Sequence, residues 1–188
     1  MAKLTRSVST WSNALTLSRL VAGPFFFCAL AGDAPKLAGL LFWAAVATDI
    51  ADGRVARARG ESSHFGGMLD HATDAIFVAL GLAALALRGA VPAILPVLVL
   101  GAFVQYVLDS RIQDGRGLRG SALGRWNGVF YFVPPGIVAT RGALDLDLPS
   151  DEWVWILGLF LVASTLLSIA GRARAVWFAR SGGAESGP

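Results

Sequence analysis

Apolar residues run through this chain in six long stretches, at about 14–31, 35–58, 66–87, 90–112, 121–140 and 153–175, separated by short polar or glycine-containing breaks. Each stretch is close to the ~20 residues a helix needs to cross a bilayer. The pattern therefore predicts an all-α integral membrane protein with six transmembrane helices. Residues 32–35 and 60–63 read as turns, and 115–120, in the sequence Gly-Arg-Gly-Leu-Arg-Gly, as a flexible basic loop. Asn13 is placed to cap the first helix. Residues 3–12 form a weakly amphipathic lead-in, with Trp11 suited to the headgroup level. The Gly- and Ser-rich segment 181–188 is expected to be a disordered tail, leaving one membrane domain over 1–180.

Composition sharpens this picture. The chain is 55% hydrophobic and only 15% charged, with a mean hydropathy of +0.60, which excludes an ordinary soluble domain. The first twelve residues are polar, and the run behind them carries Arg19 and Pro24 and leads into further spans, so an uncleaved first helix is expected. The single cysteine, Cys28, lies in that run and supports no disulfide framework.

Charge sets an orientation. With six spans the termini share a side, and that side holds Lys3, Arg6, Arg54, Arg57, Arg59, Arg111, Arg116, Arg119, Arg125, Arg172, Arg174 and Arg180, with Arg19 just inside the first span. The opposite side has only Lys36, Arg88 and Arg141. This bias places both termini in the cytoplasm, as for a protein of the bacterial inner membrane. The basic excess then faces anionic headgroups rather than nucleic acid.

Against this apolar background, Asp49, Asp52, Asp70 and Asp74 gather near the cytoplasmic ends of the second and third spans. Each ionised carboxylate costs ~2.5–3.5 kcal/mol at the centre of a membrane helix, so four together demand a compensating partner. The three- and four-residue spacings put each pair on one helix face. Because the two helices are consecutive, they are expected to be antiparallel neighbours whose ends meet. The resulting all-oxygen site suits Mg²⁺ or Mn²⁺ better than zinc. Two ions about 3.5–4 Å apart are the arrangement used for phosphoryl transfer. Gly53 and Ala56 keep the backbone open beside the carboxylates, and Arg57 offers a fork for phosphate oxygens. Gly66 serves either helix packing or ligand approach. His71 is expected to point away from the aspartate face.

The run Asp49-Ile-Ala-Asp52-Gly53-Arg-Val-Ala56-Arg57, followed after eight residues by Gly66 and then by Asp70 and Asp74, resembles the signature of the CDP-alcohol phosphatidyltransferase family. Every fixed position of D-x2-D-G-x2-A-R-x8-G-x3-D-x3-D is filled. The opening Asn13-Ala-Leu15-Thr16, with Arg19 and Pro24, is also similar to the family's first helix. The resemblance implies a homodimeric six-helix membrane enzyme that moves a phosphatidyl group from CDP-diacylglycerol to an alcohol and releases CMP. It further implies that Asp49, Asp52, Asp70 and Asp74 hold the metal ions. Gly53, Ala56, Arg57 and Gly66 then shape the CDP pocket, to which Asp52 also contributes. Asp70 and Asp74 are the implied catalytic residues, with Asp74 the general base for the acceptor hydroxyl.

The acceptor must be recognised elsewhere in the cavity. Arg111, at the end of the fourth span, and Arg125, at the start of the fifth, are either ordinary positive-inside residues or a pair that binds an acceptor phosphate such as that of glycerol 3-phosphate. Family members acting on that acceptor commonly carry Asp-Pro-x-Ala-Asp-Lys where this chain has Asp70-His71-Ala72-Thr73-Asp74-Ala75. Inositol phosphate, serine or another alcohol thus stays open. Two rival readings use the same carboxylates. A membrane prenyltransferase binds pyrophosphate through metal-bearing aspartates but needs more spans. A cation transporter places aspartates in the midplane beside broken helices.

Overall fold

The computed structural model describes residues 11–59, 64–112 and 122–182. They form α1 (Trp11–Ala31), α2 (Pro35–Arg59), α3 (His64–Leu87), α4 (Leu95–Ile112), α5 (Ala122–Phe130), α6 (Val133–Ala143) and α7 (Asp151–Gly182). The expected basic loop at 115–120, the turn at 60–63, nearly all of the amphipathic lead-in and the tail from 183 lie outside the described residues. The six apolar stretches recur as helix, with three corrections.

The fifth span is broken into α5 and α6 by a turn at Tyr131 and Phe132. Pro134 and Pro135 have no N–H to offer the carbonyls of residues 130 and 131. The chain restarts as α6 with a proline in the first turn, where the missing donor costs nothing. The fourth helix begins at Leu95 rather than residue 90. α3 closes in a Schellman turn, in which Ala90 N–H donates to Leu85 O and Gly89 N–H to Ala86 O. Gly89 takes the left-handed φ of 69° that this turn needs. Pro92 and Pro96 then delay the next helix. Third, Asn13 lies inside α1 rather than capping it, because the helix already runs from Trp11.

The core is built on α1, which packs against both α2 and α3. Phe26, fully buried, stacks on Phe77 of α3 with ring centres 4.8 Å apart and approaches Phe42 of α2 at 6.0 Å. Between these described helices α1 is thus a wedge, and α2 and α3 are not the direct neighbours expected from their order. Small residues set the closeness of packing. A Cβ on Gly81 would stand 2.7 Å from Phe26 and 3.1 Å from Pro135, and one on Gly136 would stand 2.6 Å from Phe42.

Contacts order the two ends of the bundle. Arg19, Asp49 and Asp74 meet at one end. At the other, Arg88 donates to Leu30 O at 2.9 Å, satisfying an end carbonyl of α1. Arg141 there pairs with Asp151 and donates to Pro149 O, tying the end of α6 to the start of α7. Large apolar side chains cover the outside, with Val21, Leu40, Val97 and Leu167 each more than 60% exposed. Such a surface suits lipid tails rather than water. Gly67–Leu87 and Asp151–Ala175 are long and apolar enough to cross a membrane, and Thr16–Ala31 and Leu95–Leu108 are shorter apolar stretches.

Candidate active site

Three helices deliver charge to one point. Asp70 and Asp74, one turn apart on α3, face Asp49 in the second half of α2, well short of its end at Arg59, and Arg19 of α1 reaches between them. Arg19 Nη1 donates to Oδ1 of Asp49 and, at 2.8 Å, to Oδ1 of Asp74, while Nη2 donates to Oδ1 of Asp70. The guanidinium is the group suited to this task, since its planar fork meets several carboxylates without losing its charge. Arg19 is only 2% exposed, whereas the side chains of Asp74, Asp70 and Asp49 are 22%, 33% and 47% exposed. The cluster is sealed on the α1 side and open on the other.

Among the described residues, one guanidinium stands among three carboxylates, which leaves a net deficit of positive charge there. Asp49, Asp70 and Asp74 each offer an oxygen, and these oxygens all lie within 4.8 Å of one another. An all-oxygen set at this spacing, short of positive charge and partly open, fits a hard divalent cation. The surroundings of Asp52, Gly53, Ala56, Arg57, Gly66 and Arg111 lie outside the described residues, although their backbones continue α2, α3 and α4.

The open side of the cluster leads into a cavity of about 600 Å³. Asp49 and Asp74 stand on its wall, together with His71, Tyr106, Arg125, Tyr131, Ser168 and Arg172, and Val78, Val99, Phe103, Val129 and Phe132 supply an apolar lining. His71 therefore faces the same cavity as the aspartates, contrary to the expected outward orientation. Its ring meets Tyr106 edge-on at 6.0 Å, and that contact turns it toward α4.

Arg125 takes its place on the wall from the start of α5. Arg172 comes from far along α7, its guanidinium 5.8 Å from the centre of the Tyr106 ring, a cation–π distance. Its buried Nε has no hydrogen-bond partner among the described residues. Polar contacts brace the same wall: Tyr131 OH and Thr165 Oγ1 are 2.7 Å apart, and Ser164 Oγ donates to Asn127 Oδ1 at 3.0 Å. These bonds hold α5 and the turn after it against α7.

Two residues of the cluster and the cavity escape the sequence reasoning, Arg19 and Arg172. Both counted as positive-inside charges. The signal for Arg19 was present, because an arginine inside an apolar run must pair with carboxylates or backbone. Arg172 carried no comparable signal, since its route to the cavity depends on how α7 packs.

Comparison with known proteins follows the same line. The sequence profile described as CDP-alcohol phosphatidyltransferase matches residues 9–169. A CDP-diacylglycerol–glycerol-3-phosphate 3-phosphatidyltransferase of Yersinia enterocolitica is 38% identical over 79 residues. That match covers 40% of this chain and 42% of the relative, so the chain aligns with less than half of that protein's length.

Proposed function

Because this chain belongs to the CDP-alcohol phosphatidyltransferase family, whose members are membrane-embedded, we propose that it transfers a phosphatidyl group from CDP-diacylglycerol to glycerol 3-phosphate and releases CMP. The observation that carries this reading is the convergence of Asp49, Asp70 and Asp74 beside a cavity whose lining includes Asp49 and Asp74 together with Arg125 and Arg172. Carboxylates and guanidinium groups lining one cavity suit a metal-bound pyrophosphate beside an anionic acceptor. The name of the Yersinia relative supports the choice of acceptor.

A divalent ion, Mg²⁺ or Mn²⁺, held by Asp49, Asp70 and Asp74 with Asp52, supplies the charge neutralisation that the pyrophosphate requires. The protein does the rest. Arg125 and Arg172 bind the acceptor phosphate and so aim its hydroxyl toward the aspartates. Asp74, on the cavity wall and the least exposed of the three carboxylates, accepts the hydroxyl proton as the oxygen attacks the phosphatidyl phosphorus. The bond from that phosphorus to the bridging oxygen breaks, and CMP leaves. Gly53, Ala56, Arg57 and Gly66 are assigned to the CDP group by the signature they fill, and the apolar wall limits access of water. In this reading the site opens to the cytoplasm and the enzyme works as a homodimer.

The experiment is an acceptor panel. Purified protein is given CDP-diacylglycerol, Mg²⁺ or Mn²⁺, and in turn glycerol 3-phosphate, inositol phosphate, inositol and serine, with the lipid product identified by mass spectrometry. Phosphatidylglycerophosphate is the expected product. A different phosphatidyl lipid replaces the acceptor and keeps the chemistry.

A further inference from the structure

The contacts of Arg19 carry an inference that rests on the divalent-ion reading above and goes beyond it. The guanidinium engages Oδ1 of Asp49, Asp70 and Asp74, and those carboxylates are the set that fits a divalent cation. A cation arriving there has two options. It can take the same oxygens, in which case Arg19 gives them up. It can instead take the other oxygen of each carboxylate, in which case a double charge settles beside a buried single one. Both options oppose binding, the first by direct competition and the second by repulsion in a poorly screened place. Arg19 is 2% exposed and held on a helix wedged between α2 and α3, so it cannot withdraw into water.

We propose that Arg19 is an internal competitor of the divalent ion. It offsets part of the charge of the three carboxylates and so keeps the ion's affinity low. The pyrophosphate of the substrate, by bringing its own negative charge, makes good the deficit and draws the ion in. Metal and CDP-lipid binding are thereby coupled through a residue that need not touch either reacting group.

The opposite role for Arg19, that of orienting the ligands so that the ion binds better, makes the opposite prediction, and binding rather than activity tells the two apart. Full-length protein in detergent is titrated with Mn²⁺ and read by electron paramagnetic resonance, with and without CDP. Arg19→Gln is expected to bind Mn²⁺ about tenfold more tightly than the wild type, with a smaller gain on adding CDP. Millimolar methylguanidinium is expected to weaken Mn²⁺ binding in Arg19→Gln and leave the wild type unchanged. Equal or weaker Mn²⁺ binding by Arg19→Gln overturns the proposal, whereas Mn²⁺ binding by neither protein overturns the divalent-ion reading with it. Should Arg19→Gln not fold, Arg19→Lys identifies the Arg19 signal in a protein labelled with ¹⁵N-arginine. Mg²⁺ is expected to shift that signal in the wild type, and an unmoved signal at saturating Mg²⁺ contradicts the competition.

Discussion

Arg19 Nη1 lies 2.8 Å from Asp74 Oδ1, although 55 positions separate the two residues in sequence. This bond joins α1 to α3 where Asp49 and Asp70 also pair with Arg19. It also makes α1 part of the site rather than a mere anchor. The stacked Phe26 and Phe77 continue the same helix pair deeper into the core, so the position of the carboxylates and the packing of the core are one structural problem.

Asp74→Asn is expected to lower CMP release by about 10²–10⁴-fold, the usual worth of a positioned general base. The substitution keeps the size of the side chain and an oxygen for Arg19, which retains Asp49 and Asp70. The melting temperature in detergent is therefore expected to move little beside the loss of rate. A full loss of cooperative melting would assign Asp74 to folding instead.

Arg125 and Arg172 are expected to separate acceptors by charge. Arg125→Ala should raise the KM for glycerol 3-phosphate by about tenfold or more, as loss of a charge-assisted phosphate contact does, with a smaller effect on kcat. The KM for CDP-diacylglycerol should stay close to that of the wild type. Initial rates across both substrates check this, and equal rises in both KM values contradict it.

The glycines offer a matched pair for packing. Gly81→Ala drives a methyl group to 2.7 Å from Phe26 and 3.1 Å from Pro135, and is expected to destabilise the protein by about 1–3 kcal/mol. Gly101→Ala meets nothing within 4 Å and should be neutral or stabilising by up to about 1 kcal/mol through helix propensity. Thermal or denaturant melting of the two variants side by side tests the close approach of α1, α3 and α6.

Tyr131→Phe removes the hydroxyl that meets Thr165 across the cavity wall. Thr165 Oγ1 keeps its bond to Leu161 O, so no hydroxyl is stranded. The expected loss is about 0.5–1.5 kcal/mol. A double-mutant cycle with Thr165→Val should show the two losses to be non-additive, and strict additivity would mean that the bond contributes nothing.

The meeting of Asp49, Asp70 and Asp74 was legible in the sequence because the four-residue spacing of Asp70 and Asp74 is a property of one helix face, and the apolar runs announced the helices. What the pattern did not encode was neighbourhood. Hydrophobic periodicity says that α2 and α3 bury a face but not that α1 intervenes, which is why Asp49 and Asp70 meet through Arg19. Pro134 and Pro135 did carry a signal for the break in the fifth span, which overall hydrophobicity masked. His71 was placed by single-helix geometry and Arg172 by its charge alone, whereas Tyr106, on α4, contacts both at the cavity.

The most direct test of phosphatidyl transfer is the formation of CMP by the purified wild-type chain from CDP-diacylglycerol and glycerol 3-phosphate. The account predicts CMP in equal amount to phosphatidylglycerophosphate, no reaction without added Mg²⁺ or Mn²⁺, and arrest by EDTA. Consumption of a prenyl diphosphate, or divalent cation flux into liposomes, with no CMP formed under any of these conditions would contradict it.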